Sequence, residues 1–318
     1  MPEAGRPAVW RRHPVLAVAL PSIVSAVLLA YLAVALAAAE TLTKPRRRAL
    51  VSSPAALNLT YEDVAFDSRG DGIPLRGWFA PADGSDRVVV IAHGRNSTRT
   101  GDDGELVPHA AALVDAGFNA LLFDFRAHGE SGGVRYTLGW AEQGDLLGAV
   151  DHLKARGFRS ERMGFWAHSM GAAAVLLASA GSPDVRNIVA DSSFARLDDL
   201  LARQLPIASG LPGFFNPPIL FFTRTVFDAD ASIVNPVDVV AGLPPDSLFV
   251  IHAEADRLIP VDHAHRIAAA AGPAVYDLWI FPGSSHDRVS IDAPDEYRDR
   301  VLTFFDEKLP PGLSPHRD

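Results

Sequence analysis

Beyond residue 59 the chain alternates between short apolar runs and longer segments with helical periodicity. Two segments, 59–67 and 75–79, flank the turn Ser68-Arg-Gly-Asp-Gly72 and are typical of antiparallel strands. Six further apolar runs follow: 88–92, 120–123, 163–167, 187–190, 248–251 and 276–281. Strands buried on both faces have this composition, and the helical segments between them predict right-handed crossovers in a parallel sheet. The pattern therefore predicts an α/β fold.

The N-terminal segment has a different pattern, because residues 14–39 contain no charged side chain. As a helix these 26 residues extend roughly 39 Å, which exceeds the ~30 Å hydrocarbon core of a bilayer. The alternative is a cleaved signal peptide, since Ala35-Leu-Ala37 and Ala37-Ala-Ala39 resemble cleavage sites. A signal peptide has a shorter apolar region of about 7–15 residues. We therefore predict a retained, single-pass anchor in the cell membrane.

Charge divides the chain at about residue 48. Residues 1–48 carry seven Lys or Arg and two Glu, a net charge of +5, and the whole chain carries −9, which leaves −14 for residues 49–318. An acidic domain repels polyphosphate, so we expect no nucleic-acid partner. Three basic residues precede the apolar span and four follow it, so the side of the membrane that carries the domain stays open. We predict an anchor over 1–48 and one globular domain over 49–318.

A long connection, residues 196–236, separates the fourth and fifth of the six apolar runs. Connections of this length in a compact domain are often lids or caps. This one contains a dense apolar stretch: Phe214, Phe215, Ile219, Leu220, Phe221 and Phe222. Two interpretations stay open, since these side chains could pack the cap onto the core or line a pocket for acyl groups.

Candidate chemistry follows the predicted strands, at the sheet edge where α/β proteins bind ligands. In Ala167-His-Ser-Met-Gly171 a serine directly follows a buried run, with small residues two positions before and after it. A tight strand-to-helix turn that exposes a nucleophile requires such small neighbours. The helix that follows also directs its positive end towards the serine oxygen. Ser169 is therefore the candidate nucleophile.

A serine hydroxyl needs a base to remove its proton and an acid to orient that base. His286 follows the last apolar run, and Asp256 follows the run that ends at Ile251. The chain order Ser, Asp, His, with each residue after a strand, is the order found in α/β hydrolases. Asp191 also ends a strand and is an alternative acid, but we predict Asp256.

These segments, together with Ala92-His-Gly-Arg95 and the loop from Asp124 to Ser131, resemble the α/β-hydrolase superfamily over roughly residues 59–310. The resemblance implies a mostly parallel eight-stranded sheet with an antiparallel second strand, helices on both faces and a cap after the sixth strand. It also implies an oxyanion hole formed by the backbone N–H groups of Arg95 and Met170. The cap placement and the His-Gly-x loop look most like the branch with monoacylglycerol lipases, bacterial esterases and serine aminopeptidases.

We therefore expect a membrane-anchored serine hydrolase that acts on a small-molecule acyl ester or a lipid-like substrate, with thioesters or amides as further substrates. The alternatives are a serine aminopeptidase or amidase, and a non-catalytic binding protein on the same scaffold. The sequence contains no cysteine and no H-E-x-x-H, P-loop or G-x-G-x-x-G motif after a strand, so we expect no metal and no nucleotide cofactor. It leaves the oligomeric state and the acyl length open.

Overall fold

The computed structural model describes residues 14–311. Helix α1, Pro14–Thr43, contains the whole predicted span. An 18-residue window within residues 18–43 has a mean hydropathy of 2.3, and α1 is long and apolar enough to cross a membrane. The basic side chains Arg6, Arg11 and Arg12, which the prediction placed before the span, lie outside the described residues.

Eight strands follow, each at or close to a predicted position. They are β1 (Glu62–Asp67), β2 (Pro74–Ala80), β3 (Val88–Ala92), β4 (Asn119–Asp124), β5 (Met163–His168), β6 (Ile188–Asp191), β7 (Leu248–Ala253) and β8 (Val275–Phe281). They form one sheet in the order β1-β2-β4-β3-β5-β6-β7-β8. Strand β2 is antiparallel to both its neighbours, and β3 to β8 run parallel to one another. The predicted α/β-hydrolase fold is confirmed.

Helices cover both faces of the sheet. After α1 they are α2 (Leu106–Asp115), α3 (Glu142–Ala155), α4 (Met170–Gly181), α5 (Leu197–Ser209), α6 (Asn216–Val226), α7 (Asp262–Ala271), α8 (Val289–Asp292) and α9 (Pro294–Lys308). Helices α3, α4 and α7 bury apolar side chains on one face. Helices α2 and α9 do so on the other face. Because β3 to β7 are covered on both sides, almost all their side chains are buried, which explains their uninterrupted apolar runs.

The connection between β6 and β7 contains α5 and α6, which meet at an angle of 117° over the carboxyl edge of the sheet. Helix α1 packs against α6 and, less extensively, against α5. The buried centre of this contact comprises Ala35, Ala39, Leu205 and Ile219. The alanines leave room for the two helix backbones to come close together, as small residues do in membrane helix pairs.

Candidate active site

Ser169 occupies a sharp turn between β5 and α4. Its backbone has φ +50° and ψ −115°, a conformation that a residue with a side chain rarely adopts. A Cβ added at Gly171 would lie 2.5 Å from the carbonyl oxygen of His93, so position +2 tolerates only glycine. The close approach of the β3 loop thus explains the glycine two positions after Ser169.

The structure brings Ser169, His286 and Asp256 together, although they lie on three different loops. The Ser169 hydroxyl is 3.0 Å from Nε2 of His286. Nδ1 of the same ring donates to Oδ2 of Asp256 at 2.7 Å. A serine, an imidazole and a carboxylate in this order form the hydrogen-bonded chain that a nucleophilic hydrolase requires.

Backbone groups fix the carboxylate of Asp256. Its Oδ1 accepts hydrogen bonds from the N–H groups of Leu258 and Ile259, both at 2.8 Å. Burial lowers the pKa of His286, but the hydrogen bond and charge of Asp256, with smaller contributions from Asp287 and Asp191, raise it above its usual value overall. The imidazole is therefore a stronger base than a free histidine.

Asp191, the alternative acid, has other partners. Its carboxylate accepts hydrogen bonds from Tyr297 Oη at 2.7 Å and from Ser192 Oγ at 2.8 Å. It lies 3.7 Å from Nδ1 of His168, which donates to Asp287 at 2.8 Å. Asp191 makes no described hydrogen bond to His286, so the geometry favours Asp256 as the partner of His286.

Sequence reasoning missed the cluster of buried His168, buried Asp191 and half-buried Asp287. Burial lowers the pKa of His168, but the charge and hydrogen bond of Asp287 and the charge of Asp191 outweigh it and raise the pKa to about 9. The sequence feature that could have indicated this cluster is position, because His168 directly precedes the candidate nucleophile and Asp287 directly follows the candidate base. The cluster therefore joins the Ser169 turn to the His286 loop through a charged pair.

The same three residues place potential ligand atoms within 4.8 Å of one another, as a metal site would. Nδ1 of His168 is already engaged with Asp287, and both Asp191 oxygens accept protein hydrogen bonds. The existing bonds account for this cluster without an ion.

The two predicted oxyanion donors flank Ser169. Met170 is the first residue of α4, where a helix offers free N–H groups. Arg95 follows Gly94, whose added Cβ would lie 3.3 Å from Cβ of Ser169.

Two buried histidines support the Arg95 loop. His93 accepts from the Phe125 amide at 3.0 Å, and His128 accepts from the Asn96 amide at 3.1 Å. Burial lowers the pKa of both rings, so they are neutral and accept these bonds in their uncharged form. Their role in the structure is to hold the loop.

An apolar cavity of about 270 Å³ lies above Ser169 and beneath the cap. Helix α5 supplies much of its wall, and α1 contributes Leu42 and Thr43. Of the six cap side chains considered above, only Leu220 lines it. Phe215, Ile219 and Phe222 pack in the cluster that contains α1, while Phe214 and Phe221 are exposed. Neither interpretation of the cap stretch was right for most of these residues, because α1 was not expected to pack there.

A second, polar cavity lies on the other side of Ser169, near His286. Acidic and basic side chains both line it: Arg48, Arg95, Asp102, Asp103, Glu105, Asp287 and Arg288. Ser169 and Arg95 line both cavities, so the hydroxyl lies where an apolar and a polar space meet.

The chain is similar to known proteins in sequence and in fold. A family described as "Serine aminopeptidase, S33" matches residues 83–221, which include the β3 loop and the Ser169 turn. Among curated proteins, YqkD of Bacillus subtilis is 29% identical over 239 residues, covering 74% of this chain and 76% of that protein. YfhR of Escherichia coli K12 is 26% identical over 258 residues, covering 79% and 82%.

Among solved structures, the esterase Pf2001 of Pyrococcus furiosus superimposes with a TM-score of 0.68 at 27% identity, covering 83% of this chain and 98% of the esterase. Est1E of Butyrivibrio proteoclasticus, solved with ferulic acid bound, has a TM-score of 0.60 at 20% identity, covering 77% and 99%, and shows the shared fold alone. With the eight-stranded sheet and the serine turn, these similarities show the α/β-hydrolase fold and support a hydrolase.

Proposed function

We propose that the protein is a membrane-anchored serine hydrolase that cleaves carboxylic esters through an acyl-enzyme on Ser169. The observation that carries the proposal is the hydrogen-bonded chain from Asp256 through His286 to Ser169 at the base of an apolar cavity. Each of the three residues has the hydrogen-bond partner that nucleophilic catalysis needs.

The reaction proceeds in two halves. The Ser169 oxygen attacks the ester carbonyl carbon while its proton passes to Nε2 of His286. The backbone N–H groups of Arg95 and Met170 stabilise the developing oxyanion, and His286 returns the proton to the leaving alcohol. Water then gives a proton to His286 and attacks the acyl-enzyme, which releases the carboxylic acid and restores the Ser169 hydroxyl. Asp256 holds the tautomer of His286 and stabilises the imidazolium in both halves.

The two cavities support an amphiphilic substrate. The acyl chain occupies the apolar cavity, and the polar alcohol lies in the charged cavity beside His286. Each methylene removed from water contributes about 0.8 kcal/mol, roughly a fourfold gain in kcat/KM, until the apolar cavity is full. We therefore expect medium-chain esters to be better substrates than acetates.

A serine aminopeptidase is the alternative, and the matched family bears that description. Such an enzyme needs an acidic group for the substrate amine near the acyl carbon. Among the described residues that line the apolar cavity, Arg95 is the one charged side chain and there is no carboxylate. This composition favours an uncharged acyl group.

The membrane anchor is part of the proposal. Residues 20–30 of α1 are exposed on every side, with Ile23, Val27 and Leu29 all more than half exposed. An apolar helix that no other described segment covers is stable in hydrocarbon and costly in water. We infer that α1 holds the enzyme at a lipid surface.

The test measures kcat/KM of the purified full chain in detergent for p-nitrophenyl esters from acetate to decanoate and for aminoacyl p-nitroanilides, with Ser169→Ala as the blank. The proposal expects a rise over the first added carbons and little anilide hydrolysis. A flat ester profile with rapid anilide hydrolysis would favour the aminopeptidase.

A further inference from the structure

The turn between the two cap helices has an unusual composition for a surface hairpin. From Leu205 to Thr223, nineteen consecutive residues include no charged side chain. Arg203 precedes this stretch and Arg224 follows it. We refer to residues 205–223 as the cap elbow. An uncharged segment bounded by arginines is typical of protein that enters a lipid leaflet, because long basic side chains extend back to the interface.

Large apolar side chains of the cap elbow point outward. Ile207 is 75% exposed, Phe214 63% and Phe221 60%. These three exposed side chains belong to one uncharged segment, and exposed apolar surface of this kind marks sites of contact with a membrane or a partner.

The contact between the cap elbow and α1 indicates that a membrane, rather than a protein partner, covers the exposed apolar side chains. Tyr31 of α1 packs on the ring of Phe215, with centroids 4.7 Å apart, and its hydroxyl donates to the carbonyl oxygen of Phe214 at 2.6 Å. Glu40 is the first charged residue of α1 and lies nine residues after Tyr31, which is roughly 13 Å along a helix. One leaflet of hydrocarbon is about 15 Å thick. If α1 leaves the hydrocarbon at Glu40, the tip of the elbow lies inside the same leaflet.

The two halves of α1 differ in a way that fits this arrangement. Up to Ala30 the described part of the helix has no buried side chain, whereas Ala35, Ala39 and Thr43 are buried on one face. The first half has the surface of a helix surrounded by lipid. The second half has the surface of a helix that shares its leaflet with another protein segment.

The apolar cavity connects the elbow to the reaction centre. Ile207 lines the cavity and is also highly exposed, so the cavity opens at this side chain. Ala208 and Leu220 of the elbow and Leu42 of α1 line it as well. A path bounded by apolar side chains therefore runs from the outer surface of the elbow to Ser169.

We propose that the cap elbow inserts into the leaflet crossed by the second half of α1, so that acyl chains enter the cavity from bilayer hydrocarbon beside Ile207. The proposal rests on the α1 anchor of the proposed function, and it deepens that function by naming the substrate class as esters dissolved in a membrane. The ester group reaches Ser169 while the polar alcohol stays on the aqueous side, in the cavity beside His286.

The absence of cysteine allows a direct test of insertion. Single-cysteine variants Phe221→Cys in the elbow, Val27→Cys in α1 and Thr303→Cys on α9 are labelled with an environment-sensitive fluorophore in phosphatidylcholine nanodiscs. Quenching by lipids with nitroxide groups on the acyl chain reports contact with hydrocarbon. We expect strong quenching at positions 221 and 27 and none at 303, which is exposed on a helix of the globular domain.

The outcomes separate the proposals. Quenching at 27 without quenching at 221 would overturn insertion of the elbow and leave the anchor in place. No quenching at either position would overturn both. Hydrolysis of a short, water-soluble ester by the same samples tests the hydrolase assignment independently of where the elbow lies.

A charge in the elbow gives a functional test. Phe221 does not line the cavity, so Phe221→Asp leaves the pocket walls unchanged while placing a carboxylate where the proposal puts hydrocarbon. The ratio of kcat/KM for a long-chain ester in vesicles to that for the short soluble ester is expected to fall several-fold. Leu57→Asp, a matched change at an exposed apolar side chain away from the cap, is expected to leave the ratio unchanged. An unchanged ratio in Phe221→Asp would contradict lateral entry.

Discussion

The carboxyl edge of the sheet and the cap with α1 are built in different ways. At the sheet edge, polar contacts of 2.7–3.0 Å join Ser169, His286 and Asp256 to one another in the loops after β5, β8 and β7. In the cap, the main contact is apolar packing centred on Ala35, Ala39 and Ile219, and much of the outer surface is exposed apolar side chain. The comparison suggests that the sheet edge determines the reaction, whereas the cap and α1 determine which molecules reach it.

One segment physically connects the two regions. Arg47, just after α1, donates to the carbonyl oxygens of Ser131 at 2.6 Å and Gly133 at 2.7 Å. Nearby, the Tyr136 hydroxyl donates to the Leu42 carbonyl at 2.8 Å. These bonds attach the end of α1 to the loop whose His128 holds Asn96, beside Arg95. The position of α1 is therefore coupled to the wall of the candidate oxyanion site.

The largest effect is expected at the sheet edge. Ser169→Ala and His286→Ala should each lower kcat by roughly 10⁶-fold, and the double variant should lose little more, because the three residues act as a unit. The loss of kcat is measured with a p-nitrophenyl ester, and thermal unfolding shows whether each variant is folded. Substantial activity in folded Ser169→Ala would refute the nucleophile.

The second-largest effect is expected for Asp256, the candidate acid that orients His286. Asp256→Asn should lower kcat by roughly 10⁴-fold, since the amide favours the wrong imidazole tautomer. Catalysis needs neutral His286, so activity rises with pH through its raised pKa; without the carboxylate that rise should move to lower pH. A pH profile of kcat/KM checks both points. An unmoved profile would argue against the Asp256–His286 pair.

A moderate effect is expected where the cap meets α1. Ala39→Leu adds three carbons to a fully buried position and should destabilise the protein by about 1–3 kcal/mol through overpacking. Ala37→Leu, the same change on the exposed face of α1, is the matched control. Thermal unfolding in detergent compares the two. Equal melting temperatures would mean that α1 does not pack on the cap in solution.

The smallest effect concerns the His168 pair. The pKa of His168 in the folded protein is about 9, above the usual 6.5. The stabilisation from its charged pair with Asp287 is therefore fully present below pH 6.5 and is lost as the pH rises through 9. Asp287→Asn should remove about 1–2 kcal/mol at pH 7 and little at pH 10. Unfolding free energies of wild type and variant at the two pH values give this difference. A loss that is the same at both pH values would assign Asp287 an uncharged role.

How far the sequence predicts the molecule differs between the same two regions. Strands β3 to β7 were predictable because burial on both faces requires continuous apolar runs. The Ser169 turn was predictable because the close approach of another backbone requires glycine at position 171. The role of α1 in the fold was not predictable, since an apolar helix has the same composition whether lipid or a cap covers it. The link between His168 and Asp287 depends on a contact across 119 positions, which no local pattern encodes.

The central claim is that Ser169 forms the acyl-enzyme, and active-site labelling tests it most directly. Purified full-length protein is treated with a fluorophosphonate and digested, and the modified peptide is identified by mass spectrometry, with heat-unfolded protein and Ser169→Ala as controls. The account predicts one adduct, on Ser169, that is absent from both controls and is slowed by a medium-chain ester. An adduct on another residue, or none in folded protein, would contradict it.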